Sequence, residues 1–248
     1  MNLKNKTAIV TGWAKGIWKA IVLDLLKNWV KVVINYFWDD KNASNFEKNL
    51  KKDFAEKFLF VKWDISKIDE VKKLFEKAKE KFWMIDILVN NAWVFTFPEL
   101  DLEQRFKRVF EINFFSQVYT TDFFEKQFSW KLGKIVNISS IYSKNPFPVL
   151  GWTRCPEYVC SKASVDMFSK LCARNFDWKI LVNTVNPWTT LTPMWDWVDK
   201  DFIEKRIQEP MIKRAIKPEE ISDAVLFLLK NDAMNWESIV VDGGNILR

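Results

Sequence analysis

Short β-branched runs alternate with helix-patterned stretches along the whole chain, and that alternation constrains its fold more than any other feature. Runs at residues 7–11, 31–35, 59–62, 87–90, 134–139, 180–186 and 238–241 read as strands. Between them, Val71, Leu74, Phe75 and Ala78 recur at helical spacing, as do Ile221, Ala224, Val225 and Leu228. Pro218, followed by Glu219 and Glu220, marks a helix start, with proline in the first turn and acids facing the helix dipole. Strands that take turns with helices build a parallel sheet covered on both faces. Seven strands and their crossovers use all 248 residues. The expectation is therefore one doubly wound α/β domain spanning residues 1–248.

Composition narrows the function. The chain is 48% hydrophobic and 28% charged, enough for a sizeable core beneath a polar surface. No apolar run approaches the ~20 residues of a membrane span, and the N-terminus enters a strand directly, so a cytoplasmic location is expected. The net charge is only +6, with lysines interleaved with glutamates as in residues 72–77. That pattern is a solvated helix face, not a nucleic-acid stripe, although a weak attraction to acidic partners stays open. Three cysteines without CxxC spacing predict neither a disulfide framework nor a zinc site. With no histidine at all, imidazole is excluded as a base or a metal ligand.

After the first strand comes Thr11-Gly12-Trp13-Ala14-Lys15-Gly16-Ile17-Trp18 and then a helical stretch. A glycine turn between strand and helix brings backbone N–H groups close to a pyrophosphate at the helix N-terminus. Further along stand Asn90-Asn91-Ala92, Glu111-Ile112-Asn113, Ile138-Ser139-Ser140, Tyr158-Val159-Cys160-Ser161-Lys162, Asn186-Pro187-Trp188 with Thr190 and Thr192, and Val241-Asp242-Gly243-Gly244. Taken singly, each has a plainer role as a turn, a strand end or a core residue. In this order and context they resemble the motifs of the short-chain dehydrogenase/reductase family across essentially the whole chain. The overall organisation is most similar to the 3-oxoacyl-acyl-carrier-protein reductase branch.

The resemblance implies a Rossmann-type fold and a catalytic set of Asn113, Ser140, Tyr158 and Lys162. A tyrosine pKa of ~10 is too high for a base near neutrality. Lys162, one helical turn beyond Tyr158, and an oxidised nicotinamide are expected to depress it. By resemblance, Lys162 also bonds the nicotinamide ribose, Ser140 holds the substrate carbonyl, and Asn113 carries a water relay behind Lys162. The cofactor-binding set is Gly12, Lys15, Gly16, Ile17, Asn35, Asp64, Ile65, Asn91, Tyr158, Lys162, Thr190 and Thr192. Asn35-Tyr36 ends the second strand where an acid would bind an adenosine 2′-OH, and no carboxylate follows until Asp39. Lys15 is placed to meet a 2′-phosphate, so NADP(H) is favoured over NAD(H). Relatives usually form homotetramers.

Two departures stand out. Trp18, Trp93 and Trp188 occupy places where the family has glycine, and an indole there should collide with the dinucleotide or with helix–strand packing. The chain has 14 tryptophans and 6 glycines, which together come near the ~7% share usual for glycine alone. No tryptophan falls in an expected strand, and Trp29, Trp83, Trp130 and Trp178 sit in connections. Many of them are read as UGA codons that the source organism translates as glycine. The missing histidines have no explanation of this kind. Secondly, the stretch between Ser140 and Tyr158 is longer than in most relatives and contains Pro146, Pro148 and Trp152.

The expected activity is reduction of a carbonyl to a secondary alcohol, the substrate a 3-oxoacyl thioester that is small or carrier-bound. The alternatives are another alcohol, sugar or diketone dehydrogenase, or a non-catalytic oligomeric scaffold if the tryptophans in the cofactor turns are real.

Overall fold

A computed structural model describes residues 1–12, 15–127, 132–145, 155–192 and 198–247. The stretch containing Pro146, Pro148 and Trp152, together with Trp13 and Trp130, lies outside them.

Seven strands form one parallel sheet in the order β3-β2-β1-β4-β5-β6-β7. They are β1 (Thr7–Thr11), β2 (Lys31–Tyr36), β3 (Phe58–Lys62), β4 (Ile87–Asn90), β5 (Gly133–Ile138), β6 (Ile180–Pro187) and β7 (Ser238–Val241). All residues of β1, β4, β5 and β6 are buried. That is why these strands read as apolar runs without alternation: helices cover both faces. The helices are α1 (Gly16–Lys27), α2 (Asp40–Phe54), α3 (Ile68–Phe82), α4 (Leu102–Phe110), α5 (Ser116–Gln127), α6 (Pro156–Asn175), α7 (Lys200–Ile207) and α8 (Pro218–Lys230).

Two apolar clusters result, one per sheet face. Ala8, Val10, Ile21, Leu25, Val225 and Leu228 belong to the first; Ile9, Val33, Val71, Leu74 and Phe75 belong to the second. Adjacent residues of β1 supply opposite clusters, as the period-2 geometry of a strand requires. The sheet reverses its winding between β1 and β4, which pair in register from Ala8–Ile87 to Thr11–Asn90. The carboxyl ends of these two strands border a crevice, the place where doubly wound sheets bind ligands.

One turn of π-helix, Glu111–Phe115, joins α4 to α5. Helical periodicity alone does not announce such a turn, and these turns concentrate at functional sites. Asn113 sits within it, fully buried.

Candidate active site

The crevice is built at the carboxyl ends of β1, β2, β4 and β5. Gly12 and Gly16 hold the β1–α1 turn at φ +147° and +57°, and a Cβ at Gly12 would lie 2.3 Å from Asn91 Nδ2. A Cβ at Gly16 would press on Thr192 Cγ2 at 2.5 Å, so the turn rests against the segment after β6. Gly12, Asn35, Asp64, Ile65 and Trp93 line one pocket. Asn91 donates from its Nδ2 to Thr11 O at 3.2 Å, while its buried Oδ1 has no protein donor. Ile17 is buried behind the turn, and Thr190 donates to Trp188 O at 2.9 Å.

Lys15 does not stand alone at the pocket mouth. Its Nζ lies 2.7 Å from Asp39 Oδ2. Asp39 caps α2 at φ +70°, and that Lys15 contact together with Asn42 holds its carboxyl below the usual range against the cost of burial. Asn35, the expected 2′ position, turns its amide to Trp63 O at 3.0 Å instead. Asp64 accepts from Ser66 N and Ser66 Oγ at 3.1 and 2.7 Å.

Tyr158 and Lys162 lie one turn apart on α6, which starts with Pro156 in its first turn, and both are buried. Ser140 follows β5 and accepts from Tyr142 N at 3.3 Å, and its hydroxyl lies near enough to the Tyr158 phenol to lower the phenol's pKa against the effect of burial. Ser139 donates to Lys162 O at 3.0 Å, tying the end of β5 to α6. Lys162 Nζ donates to Ile138 O at 2.9 Å and lies 5.8 Å from the centre of the Tyr158 ring.

One expectation needs correction. Burial pushes the Tyr158 phenol well above its ordinary pKa, opposed by the Ser140 hydroxyl, and the expected depression by Lys162 is not what this geometry produces. Burial also lowers Lys162 to about 7, with Asp166 pulling the other way, so its charge is weakened where it was expected to act. Asn113 is anchored through its side-chain amide. Its Nδ2 donates to Val94 O and Ser161 Oγ at 2.9 and 3.0 Å, and its Oδ1 accepts from Val94 N at 2.8 Å. The side chain thus braces the strand-to-loop exit of β4 against α6 with both amide protons used, and its oxygen keeps one lone pair free to accept.

Three neighbours of the site were not anticipated. Phe95 packs on Tyr158 with ring centres 5.1 Å apart. Asp166 is held by Ser143 Oγ at 2.7 Å, Lys144 Nζ at 2.8 Å and Asn186 Nδ2. Its place four residues after Lys162 was a readable signal. Arg206, from α7, donates to Tyr142 Oη, and its Cζ lies 3.9 Å over the Trp188 ring. Nothing in the sequence linked those positions.

A dinucleotide suits half of this crevice. The glycine turn, Asp64, Ile65 and the unpartnered Asn91 Oδ1 fit its adenosine and phosphate end. The other end does not fit: the Trp93 ring centre lies 5.8 Å from that of Tyr158, and Lys162 Nζ is 5.7 Å over the indole. Tryptophan fills the space beside the two residues that would face a nicotinamide.

The family model for short chain dehydrogenases matches residues 6–201. Diacetyl reductase [(S)-acetoin forming] of Staphylococcus epidermidis is 31% identical over 98% of this chain and all of its own length. Glucose 1-dehydrogenase 2 of Bacillus subtilis is 32% identical over 99% of this chain and 96% of its own. A short-chain dehydrogenase/reductase structure from Serratia marcescens superposes with a TM-score of 0.88 at 27% identity, covering 99% of each chain. One from Burkholderia cenocepacia, solved in complex with NADP, shares the fold with a TM-score of 0.87 at 24% identity, covering 99% of this chain and all of its own. The fold, the order of the motifs and these matches agree: the chain belongs to the short-chain dehydrogenase/reductase family of oxidoreductases.

Proposed function

We propose that this chain, acting as one domain, is an NADP(H)-dependent reductase that converts a small carbonyl compound to a secondary alcohol. The observation that carries the reading is the meeting of three buried side chains at the end of β5: Ser140, Tyr158 and Lys162, whose Nζ donates to Ile138 O. A neutral phenol can give its proton to a carbonyl oxygen as that carbonyl is reduced, and the phenolate takes it back in the reverse reaction. Ser140 orients the substrate oxygen, Tyr158 supplies its proton, and Lys162 restores the charge balance behind it. Asn113 holds the β4 exit in place. With glycine at 93 leaving the space beside Tyr158 open, a nicotinamide there would supply the hydride.

The preference for NADP(H) rests on Lys15, which a 2′-phosphate would draw away from Asp39. The names of the relatives favour a diketone or a sugar as substrate. A 3-oxoacyl thioester, free or on an acidic carrier protein, is the alternative that the sequence organisation and the positive charge support. Phe115, Met167 and Leu171 are exposed apolar residues on α6 and the π turn, as a homotetramer would use. A cytoplasmic location agrees with the absence, among the described residues, of a helix long and apolar enough to cross a membrane.

A second reading is favoured by one observation, the indole beside Tyr158. With tryptophan truly at 93, the chain is an oligomeric scaffold without turnover. Oxidation of NADPH and of NADH against a diketone, a sugar and a 3-oxoacyl thioester separates the readings, using protein with glycine at 18, 93 and 188. Turnover with at least one substrate is expected, and Tyr158→Phe should lower kcat by about 10²- to 10⁴-fold with cofactor binding intact. Equal turnover by both proteins would remove Tyr158 from the mechanism.

A further inference from the structure

We infer that the tryptophans at 18, 29, 83, 93, 188 and 236 are glycines in the native protein, inserted at UGA codons. Only the argument at 93 rests on the active-site reading above; the other five stand on conformation and packing.

The turns speak first. Three of the eight described non-glycine residues with positive φ are tryptophan: Trp29 at +63°, Trp83 at +69° and Trp236 at +67°. L-residues with a Cβ avoid this region, and the few that visit it are short polar ones. Trp29 ends α1 in a Schellman motif, with Trp29 N donating to Leu26 O and Val30 N to Leu25 O, both at 3.0 Å. The left-handed residue of that motif is usually glycine. Trp83, after α3, has ψ −49°, and Met84 N donates across it to Phe82 O at 2.8 Å. A three-residue turn with positive φ is rare and strained for any side chain. No packing explains these residues, because Trp29, Trp83 and Trp236 are 58%, 85% and 57% exposed. The Trp29 ring has the end of a lysine over it, with Lys57 Nζ 3.8 Å from its centre. Trp178, also in a connection, is not part of this set: the positive φ falls on its neighbour Asp177.

The buried positions disagree in another way. Trp18 joins Phe46 and Phe60 in a cluster of three rings, and Trp188 lies under Arg206. The indole N–H of each is buried without an acceptor. Buried indole N–H groups ordinarily find a partner, since an unmet donor carries its full desolvation cost. The Trp18 ring packs against Gly12, where an added Cβ would sit 2.7 Å from Trp18 Cδ1. Trp93 blocks the space beside Tyr158. One change accounts for all of this. Glycine takes positive φ freely, removes two orphan donors and opens the crevice at the end that a dinucleotide does not fit. It also raises the glycines from 6 to 12 of 248 residues, toward the ordinary share of ~7%.

The codons are read first, and UGA is expected at all six positions; UGG there overturns the inference. Mass spectrometry of peptides covering 29, 83 and 236, from protein made in the source organism, should then find glycine. Tryptophan in those peptides overturns it equally. A physical check uses protein expressed with tryptophan throughout: Trp29→Gly, Trp83→Gly and Trp236→Gly should each raise the urea midpoint. Lower midpoints for all three would mean that the turns are built around the indoles. Native glycine combined with no turnover on any carbonyl would sink the reductase reading while leaving this inference standing.

Discussion

At the scale of single residues, Lys162 shows how burial and function compete. Burial brings its pKa from the ordinary 10.5 down to about 7. The folded state then binds fewer protons than the unfolded chain between those values, so stability rises with pH through that window. The penalty of a buried ammonium is fully present below pH 7. Tyrosine and cysteine groups whose pKa values burial raises, Cys155 to about 11 among them, oppose the rise once pH passes about 9. In the protein carrying Trp93, the stability should climb from pH 7 to 9 by up to about 1 kcal/mol per unit. Lys162→Met should flatten the climb, as read by urea unfolding at each pH. A climb that survives the substitution would place its origin elsewhere. The turns give a second residue-scale expectation: Trp29→Gly should stabilise the fold by about 1 kcal/mol, the left-handed penalty less the entropy of a freer unfolded chain. The pair Tyr158 and Lys162 was legible from the resemblance to the family, and their spacing put them on one helical face. The direction of their pKa shifts was not, because burial, which decides both, depends on what packs around α6.

At the scale of elements, strands and long helices were readable because their residues face cores on fixed periods. Four-residue β4 and β7 match the expected limits, and β5 differs by a single step. Its register with β6 pairs Gly133 with Ile180, and Ser139 has already left the sheet, its hydroxyl on Lys162 O. Short irregular pieces were not readable. The π turn at Glu111–Phe115 and the 3₁₀ turn Ile141–Ser143 follow from tertiary contacts of Asn113 and Ser140 that no local pattern encodes. The start of α8 was legible and its chemistry is testable. Glu220 accepts from Lys217 N at 2.8 Å and from both Arg214 nitrogens, at 2.7 and 2.8 Å, which holds its pKa at about 2. That stabilisation is present above the ordinary carboxylate value of 4.5 and fades as pH falls toward 2. Glu220 is partly exposed, so Glu220→Gln should cost well under about 1 kcal/mol at pH 7. The loss should vanish near pH 2, measured by thermal unfolding of both proteins; an equal loss at both pH values would point to packing instead of charge.

At the scale of the molecule, the strand order decides what the site contains. Placing β4 beside β1 sets Asn91 against Gly12, although 79 positions separate them. Placing β5 beside β4 then brings Ser140 to α6 and Tyr158. Alternation predicted the parallel sheet, but only the resemblance to a family predicted which ends meet. The cofactor crevice is where sequence and fold diverge: its adenosine half is formed, and its nicotinamide half is filled by Trp93. The account therefore depends on what stands at three positions. The direct test is titration of NADPH, followed by its fluorescence, into protein with tryptophan at 18, 93 and 188 and into the triple glycine variant. The account predicts at least tenfold tighter binding by the glycine protein, about 1.4 kcal/mol or more. Equal binding by both, or none by either, would contradict it.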